Sequence, residues 1–263
     1  MERIKEIDRE IYNFIVCFKD LLLENYKSVI GIYLFGSLAY GGFDKGRSDI
    51  DMAVITKTLI KGSDLDIIKN IHKKMENINK KWSERFEASY TPIEMLKEKE
   101  PPQTPRPYYG GVFYDDATYG NEWLINNYLL YNHGISIYGP DFKKLLQEPI
   151  NINEIKLACI NDFYKEWIPK INEDEWLSNS HYQSYLVLNI CRIIYTINKL
   201  EIANKQKSCN WIKSNYSEWK ELIEEAEKWN YGMVMDRKNS VKDFIFFAEK
   251  IIEKMNKNKS NCT

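Results

Sequence analysis

The sequence predicts an α/β N-terminal half followed by an all-α second half. Short apolar, β-branched runs and helix-period stripes share the first hundred residues, and a proline-rich run follows at 100–107. Beyond it, apolar residues recur at steps of three and four with little strand-like alternation. The 263 residues are 44% hydrophobic and 29% charged, with 12 Gly and 8 Pro, enough for two modest domains with buried cores and unlike a disordered or low-complexity chain.

Ile4, Ile7, Ile11, Phe14, Ile15, Phe18, Leu21 and Leu22 fall on one stripe and predict a first helix. Val29–Phe35 is an apolar run stopped by Gly36, as a buried strand would be, and Ile50–Ile55 is a second. Gly36, Gly41, Gly42 and Gly46 interrupt the segment between them. Ser63 or Asp64 is placed to cap a helix carrying Leu65, Ile68, Ile71 and Met75, and Arg85–Tyr90 reads as a third strand. Four prolines within seven positions, Pro101, Pro102, Pro105 and Pro107, are expected to forbid helix and central strand alike and to leave an extended connector. The expected domains are therefore residues 1–100 and 108–258. In the second, Trp123–Asn132, Ile155–Trp167, Gln183–Asn198, Ser217–Trp229 and Val241–Met255 carry helix-period apolar residues, predicting a helical bundle with a frayed tail from Asn256.

Composition narrows the partners. The 37 Lys and Arg against 38 Asp and Glu, a net charge of −1, argue against a broad basic face for nucleic acid. Apolar runs such as Phe14–Phe18 and Phe244–Ala248 fall far short of the roughly 18 residues of a membrane span, and no secretory apolar region opens the chain. The expectation is a cytoplasmic, monomeric protein acting on a small molecule, with neither membrane nor nucleic acid as partner. Five cysteines without a C-x-x-C pair suit reduced thiols, and His72, His133 and His181 read as structural.

The chemistry lies between Leu34 and Asp51. A strand ends at Phe35 and a Gly36-Ser37 turn follows; Gly41 and Gly42 let backbone amides and the Ser37 hydroxyl approach phosphate oxygens. Asp49 and Asp51, two apart at the start of a strand, share a face, and two carboxylates that close call for a cation. Hard oxygen ligands with phosphate as co-ligand select magnesium, and two such ions would activate a hydroxyl and neutralise a leaving pyrophosphate. Glu87, on the third strand, is placed to bind metal or to take the hydroxyl proton. Lys45 and Arg47 suit either phosphate contact or a solvated loop; Trp123, Trp167 and Trp219 read as core.

The Gly36-Ser37 … Ser48-Asp49-Ile50-Asp51 pattern resembles the signature of the nucleotidyltransferase superfamily that shares the polymerase β catalytic fold. Length and the helical second half make the chain similar to the aminoglycoside adenylyltransferases of the spectinomycin and streptomycin group. The resemblance extends to Val29–Gly42, Phe86–Tyr90, Gly134–Pro140 (an interdomain turn in that group), Leu186–Tyr195 and Leu200–Lys205. It implies a mixed sheet with helices on one side, and ATP between the two domains. Gly36, Ser37 and Ser48 would meet the nucleotide, Arg192 and Lys205 would reach its phosphates from the helical side, and Asp49, Asp51 and Glu87 would hold magnesium. It further implies transfer of AMP to a hydroxyl of an aminoglycoside or aminocyclitol. Such acceptors are cations, and the loop before the Arg192 helix, Trp176–Gln183, lacks the acids that the group carries there. Asp115, Asp116, Glu122, Asp174 and Glu175 are available to an acidic pocket from other positions, but each suits a solvated loop better. A lincosamide or a protein hydroxyl as acceptor, or a non-catalytic nucleotide-binding module, are the alternative readings.

Overall fold

The computed structural model describes residues 7–146 and 148–260, with side chains through residue 255; Ile4 and Cys262 lie outside the described residues. The chain divides into two compact units, Met1–Pro149 and Ile150–Thr263.

The first unit is built on six strands: β1 (Val29–Leu34), β2 (Ile50–Thr56), β3 (Phe86–Pro92), β4 (Arg106–Gly110), β5 (Phe113–Ala117) and β6 (Ile135–Tyr138). They form one mixed sheet in the order β5-β4-β3-β2-β1-β6, parallel at β2/β3 and antiparallel at every other neighbouring pair. Helices α1 (Arg9–Asn25) and α3 (Ser63–Ile78) cover one face. Helix α1 is capped by the Asp8 carboxylate, which accepts from the Glu10 amide at 2.9 Å, and buries Ile11, Phe14, Ile15, Phe18 and Leu22. Phe14 and Phe18 meet Phe86 of β3 edge to face at 5.3 and 4.8 Å. Helix α3 starts after Gly62 in a left-handed conformation (φ 56°), so neither Ser63 nor Asp64 is its cap.

The second face of the sheet is covered as well. Alternate residues Tyr33, Ala53 and Ile55 are also apolar, and α5 (Trp123–His133) packs Trp123 and Leu130 into their cluster. The expectation of helices on one side only is thus corrected. So is the boundary: the proline-rich run does not end the first unit, because β4 follows it and pairs with β3 through Ala88↔Tyr109, while β5 extends the sheet. Pro107 is tolerated where the β4/β5 register shifts between Arg106 and Tyr108, a place that does not demand its missing N–H. Gly134–Pro140, expected as an interdomain turn, contains the edge strand β6, paired with β1 through Tyr33↔Ser136. Two short helices, α2 (Gly36–Tyr40) and α4 (Lys80–Ser83), complete this unit.

The second unit is helical: α6 (Ile152–Asp162), α7 (Asp174–Ser178), α8 (Ser180–Lys199), α9 (Lys205–Asn215), α10 (Lys220–Lys228) and α11 (Lys238–Ser260). Helix α8 is its axis, buried over most of its length and packed against α6, α7, α9, α10 and α11. Helix α11 continues to Ser260, past Asn256 where a frayed tail is expected. Among the described residues, Cys17, Cys159, Cys191 and Cys209 are free thiols, and no helix is long and apolar enough to cross a membrane.

Candidate active site

Strand geometry brings the predicted acids of the first unit together. Asp49 immediately precedes β2 and Asp51 is its second residue. Because β3 runs parallel to β2 with Asp51↔Glu87 in register, these two side chains are neighbours on one face at the end of the sheet. Strand β1 arrives antiparallel, and the Phe35 amide donates to the Asp51 carbonyl at 3.0 Å. The chain then turns at Gly36, with φ 62°, and a Cβ there would lie 1.9 Å from Asp51 Oδ2. Glycine is required twice over, for the left-handed backbone and for the space that the Asp51 carboxylate fills. Ser37 follows in α2, and Gly41 and Gly42, at φ 98° and 88°, turn the chain out of it.

The loop that delivers Asp49 is tied down by its own polar atoms. The Asp44 amide donates to Ser48 Oγ at 2.9 Å, and the Ser48 amide returns to the Asp44 carbonyl at 2.7 Å. The Ser48 hydroxyl, expected at the nucleotide, therefore closes this loop as an acceptor. Arg85, at the foot of β3, donates to the carbonyls of Lys45 (2.8 Å) and Ser48, and its Nε stands 3.7 Å from Asp49 Oδ1. Lys45 pairs with Asp8 at 2.8 Å and Arg47 with Asp44 at 3.3 Å, which favours the loop reading of both cations.

Glu87 is the electrostatically perturbed member. Burial raises its pKa above the ordinary carboxyl value; a hydrogen bond with the Tyr108 hydroxyl opposes the rise, and the nearby charges of Asp49 and Glu122 add to it. Burial, and then the charge of Glu87, push Tyr108 far above the usual phenol range, so it stays protonated and donates to the carboxylate. A carboxyl shifted upward is a better proton acceptor at neutral pH than an ordinary one. Arg85 and Tyr108 are the participants that sequence reasoning missed. Both act across strands, and only an early recognition of Arg106–Gly110 as a strand would have placed Tyr108 beside Glu87.

The donor set, carboxylate oxygen throughout, suits magnesium rather than a softer ion. Among the described residues, however, no three His, Cys, Asp or Glu side chains are grouped to hold a metal by themselves. Asp51 and Glu87 stand side by side in register, and Glu87 also takes the hydrogen bond of Tyr108. Carboxylates so placed suit a magnesium that takes its other ligands from phosphate and water.

In the second unit, Tyr185, Asn189 and Arg192 succeed one another along one face of α8. Arg192 Nη1 donates to Asn189 Oδ1 at 3.3 Å, while its buried Nε has no hydrogen-bond partner. Lys205, the first residue of α9, sits 5.5 Å over the Tyr185 ring. The two cations expected at the nucleotide phosphates thus flank a single stripe of this unit.

Residues 20–91 match the family described as polymerase beta, nucleotidyltransferase, and the first unit carries that domain: its sheet and its acidic pair define a nucleotidyltransferase. Residues 152–254 match the family described as aminoglycoside adenylyltransferase, C-terminal domain. The chain belongs to the aminoglycoside nucleotidyltransferases. Its fold is similar to the crystal structure of spectinomycin adenyltransferase AAD(9) from Enterococcus faecialis with ATP and spectinomycin, at 19% identity over 92% of this chain and 99% of that one, with a TM-score of 0.71. No curated protein sequence matches the chain.

Proposed function

We propose that the protein transfers AMP from ATP to a hydroxyl of a spectinomycin-like or streptomycin-like antibiotic and thereby inactivates it. The observation that carries this reading is the register that sets Asp51 beside Glu87, with Gly36 against the Asp51 carboxylate. The likeness of the fold to a spectinomycin adenyltransferase supports the acceptor class. Asp49 and Asp51, with phosphate oxygens as co-ligands, would hold magnesium, which when bound neutralises the triphosphate and the departing pyrophosphate. Ser37 and neighbouring amides orient the phosphates, and Arg192 and Lys205 are the cations that the second unit contributes.

Glu87 takes the proton of the acceptor hydroxyl, and Tyr108 holds the carboxylate in place for it. The acceptor oxygen bonds to the α-phosphorus as the bond from that phosphorus to the bridging oxygen breaks. AMP remains on the drug and pyrophosphate leaves. With Mg-ATP and a panel of aminoglycosides and aminocyclitols, the expected outcome is pyrophosphate release that depends on the drug. Glu87→Gln should lower kcat by about 10²–10⁴-fold. No release with any member of the panel, or release indifferent to the drug, contradicts the proposal.

A further inference from the structure

One arginine holds the whole loop that carries Asp49 into β2. Arg85 immediately precedes β3, and its carbonyl accepts from the Ile50 amide at 2.8 Å, which fixes the residue between Asp49 and Asp51. Its side chain reaches the same loop: Nη1 donates to the Lys45 carbonyl at 2.8 Å and Nη2 to the Ser48 carbonyl. Main chain and side chain together span residues 45–50. The side chain is itself confined, with 15% of its surface exposed and its guanidinium 5.0 Å from the centre of the Trp82 ring.

The remaining nitrogen meets the acid. Arg85 Nε is buried without a hydrogen-bond partner, and Asp49 Oδ1 stands 3.7 Å from it. At that separation the two charges attract, but Nε makes no hydrogen bond. The guanidinium therefore offsets the repulsion among Asp49, Asp51 and Glu87 without Nε taking up a carboxylate lone pair that a metal would need. The other cations of the loop have partners elsewhere, Lys45 in Asp8 and Arg47 in Asp44.

We propose that Arg85 is a positioning residue for Asp49 as a magnesium ligand. Its planar fork bridges two loop carbonyls, and its charge holds the carboxylate beside Asp51 before the metal arrives. Lysine would keep the charge and lose the fork, since a single ammonium group cannot reproduce two parallel donors and the Nε contact. The inference rests on the adenylyl-transfer reading and adds to it a residue that acts through Asp49.

The test compares wild type with Arg85→Lys. Hydrogen exchange of the metal-free protein should show residues 45–50 exchanging about tenfold faster in the variant. In drug-dependent pyrophosphate release at fixed ATP, the magnesium concentration for half-maximal rate should rise about tenfold, with the KM for ATP at saturating magnesium within about twofold of wild type. If Arg85→Lys does not fold, Asp44 carries the test from the surface, where its Oδ1 accepts from the Gly46 amide at 2.8 Å. Asp44→Ala, which opens the loop, should raise the magnesium requirement about fivefold over Asp44→Asn, which keeps the acceptor; equal values overturn the proposal. If wild type turns the drug over and Arg85→Lys keeps the magnesium requirement within about twofold, the positioning role is overturned while adenylyl transfer stands. If wild type turns over neither spectinomycin nor streptomycin, adenylyl transfer to this acceptor class falls, and water-proton relaxation with Mn-ATP as the probe decides the role of Arg85 by itself. Binding that Arg85→Lys weakens about tenfold upholds it; binding that is unchanged, or absent from wild type, overturns it.

Discussion

At the scale of the residue, the site depends on contacts that leave no room. Gly36 and Asp51 occupy each other's space, so Gly36→Ala must push the carboxylate off its position while straining a left-handed backbone. A displacement near an ångström at a reacting centre costs about 10²-fold, and kcat/KM for Gly36→Ala should fall by that order while the Tm changes little. His72 shows the opposite use of burial. Its Nε2 lies 2.7 Å from the Tyr90 hydroxyl, its ring stacks on Tyr109 at 4.1 Å, and burial holds its pKa down to about 3. A histidine held neutral in the fold contributes stability above its unfolded pKa near 6.5, which is lost as pH falls through that value towards 3. Urea unfolding should therefore find the wild type about 2 kcal/mol less stable at pH 5 than at pH 8 on account of this residue, a dependence that His72→Gln should lack.

At the scale of the element, packing on the sheet decides what the sequence could reveal. Helix α1 announces itself because one stripe of Ile and Phe serves one face, and Phe18 is its most enclosed aromatic, against Phe86 and near His72. Phe18→Ala should cost about 3–5 kcal/mol in denaturant unfolding, from the lost transfer energy and the cavity left behind. Asp49, Asp51 and Glu87 were legible for a related reason: the period of two on β2 and the apolar residues around Glu87 place them without knowledge of their neighbours. Strands β4 and β5 were not legible. Pro107 sits inside one, and the other, Phe113–Ala117, is largely exposed and acidic, so neither shows the alternation of a half-buried strand. Tyr108 escapes sequence reasoning with them, since a tyrosine becomes a partner of Glu87 only through a strand pairing distant in sequence.

At the scale of the whole molecule, the division at Pro149 follows from the sheet rather than from the proline run, because β6 returns to β1 before the helical unit begins. The first unit holds the acids and the Gly36-Ser37 turn, while the second gathers Arg192 and Lys205 on α8 and α9. The two family matches fall one within each unit. The central claim is that the paired carboxylates of β2 and β3 direct an adenylyl group onto a cationic, hydroxylated drug. Mass spectrometry of spectinomycin and streptomycin after incubation with the protein, ATP and magnesium measures it directly. One added AMP per drug molecule with wild type, and none with Asp51→Asn, is the outcome predicted; an unmodified drug, or equal product from both proteins, would contradict it.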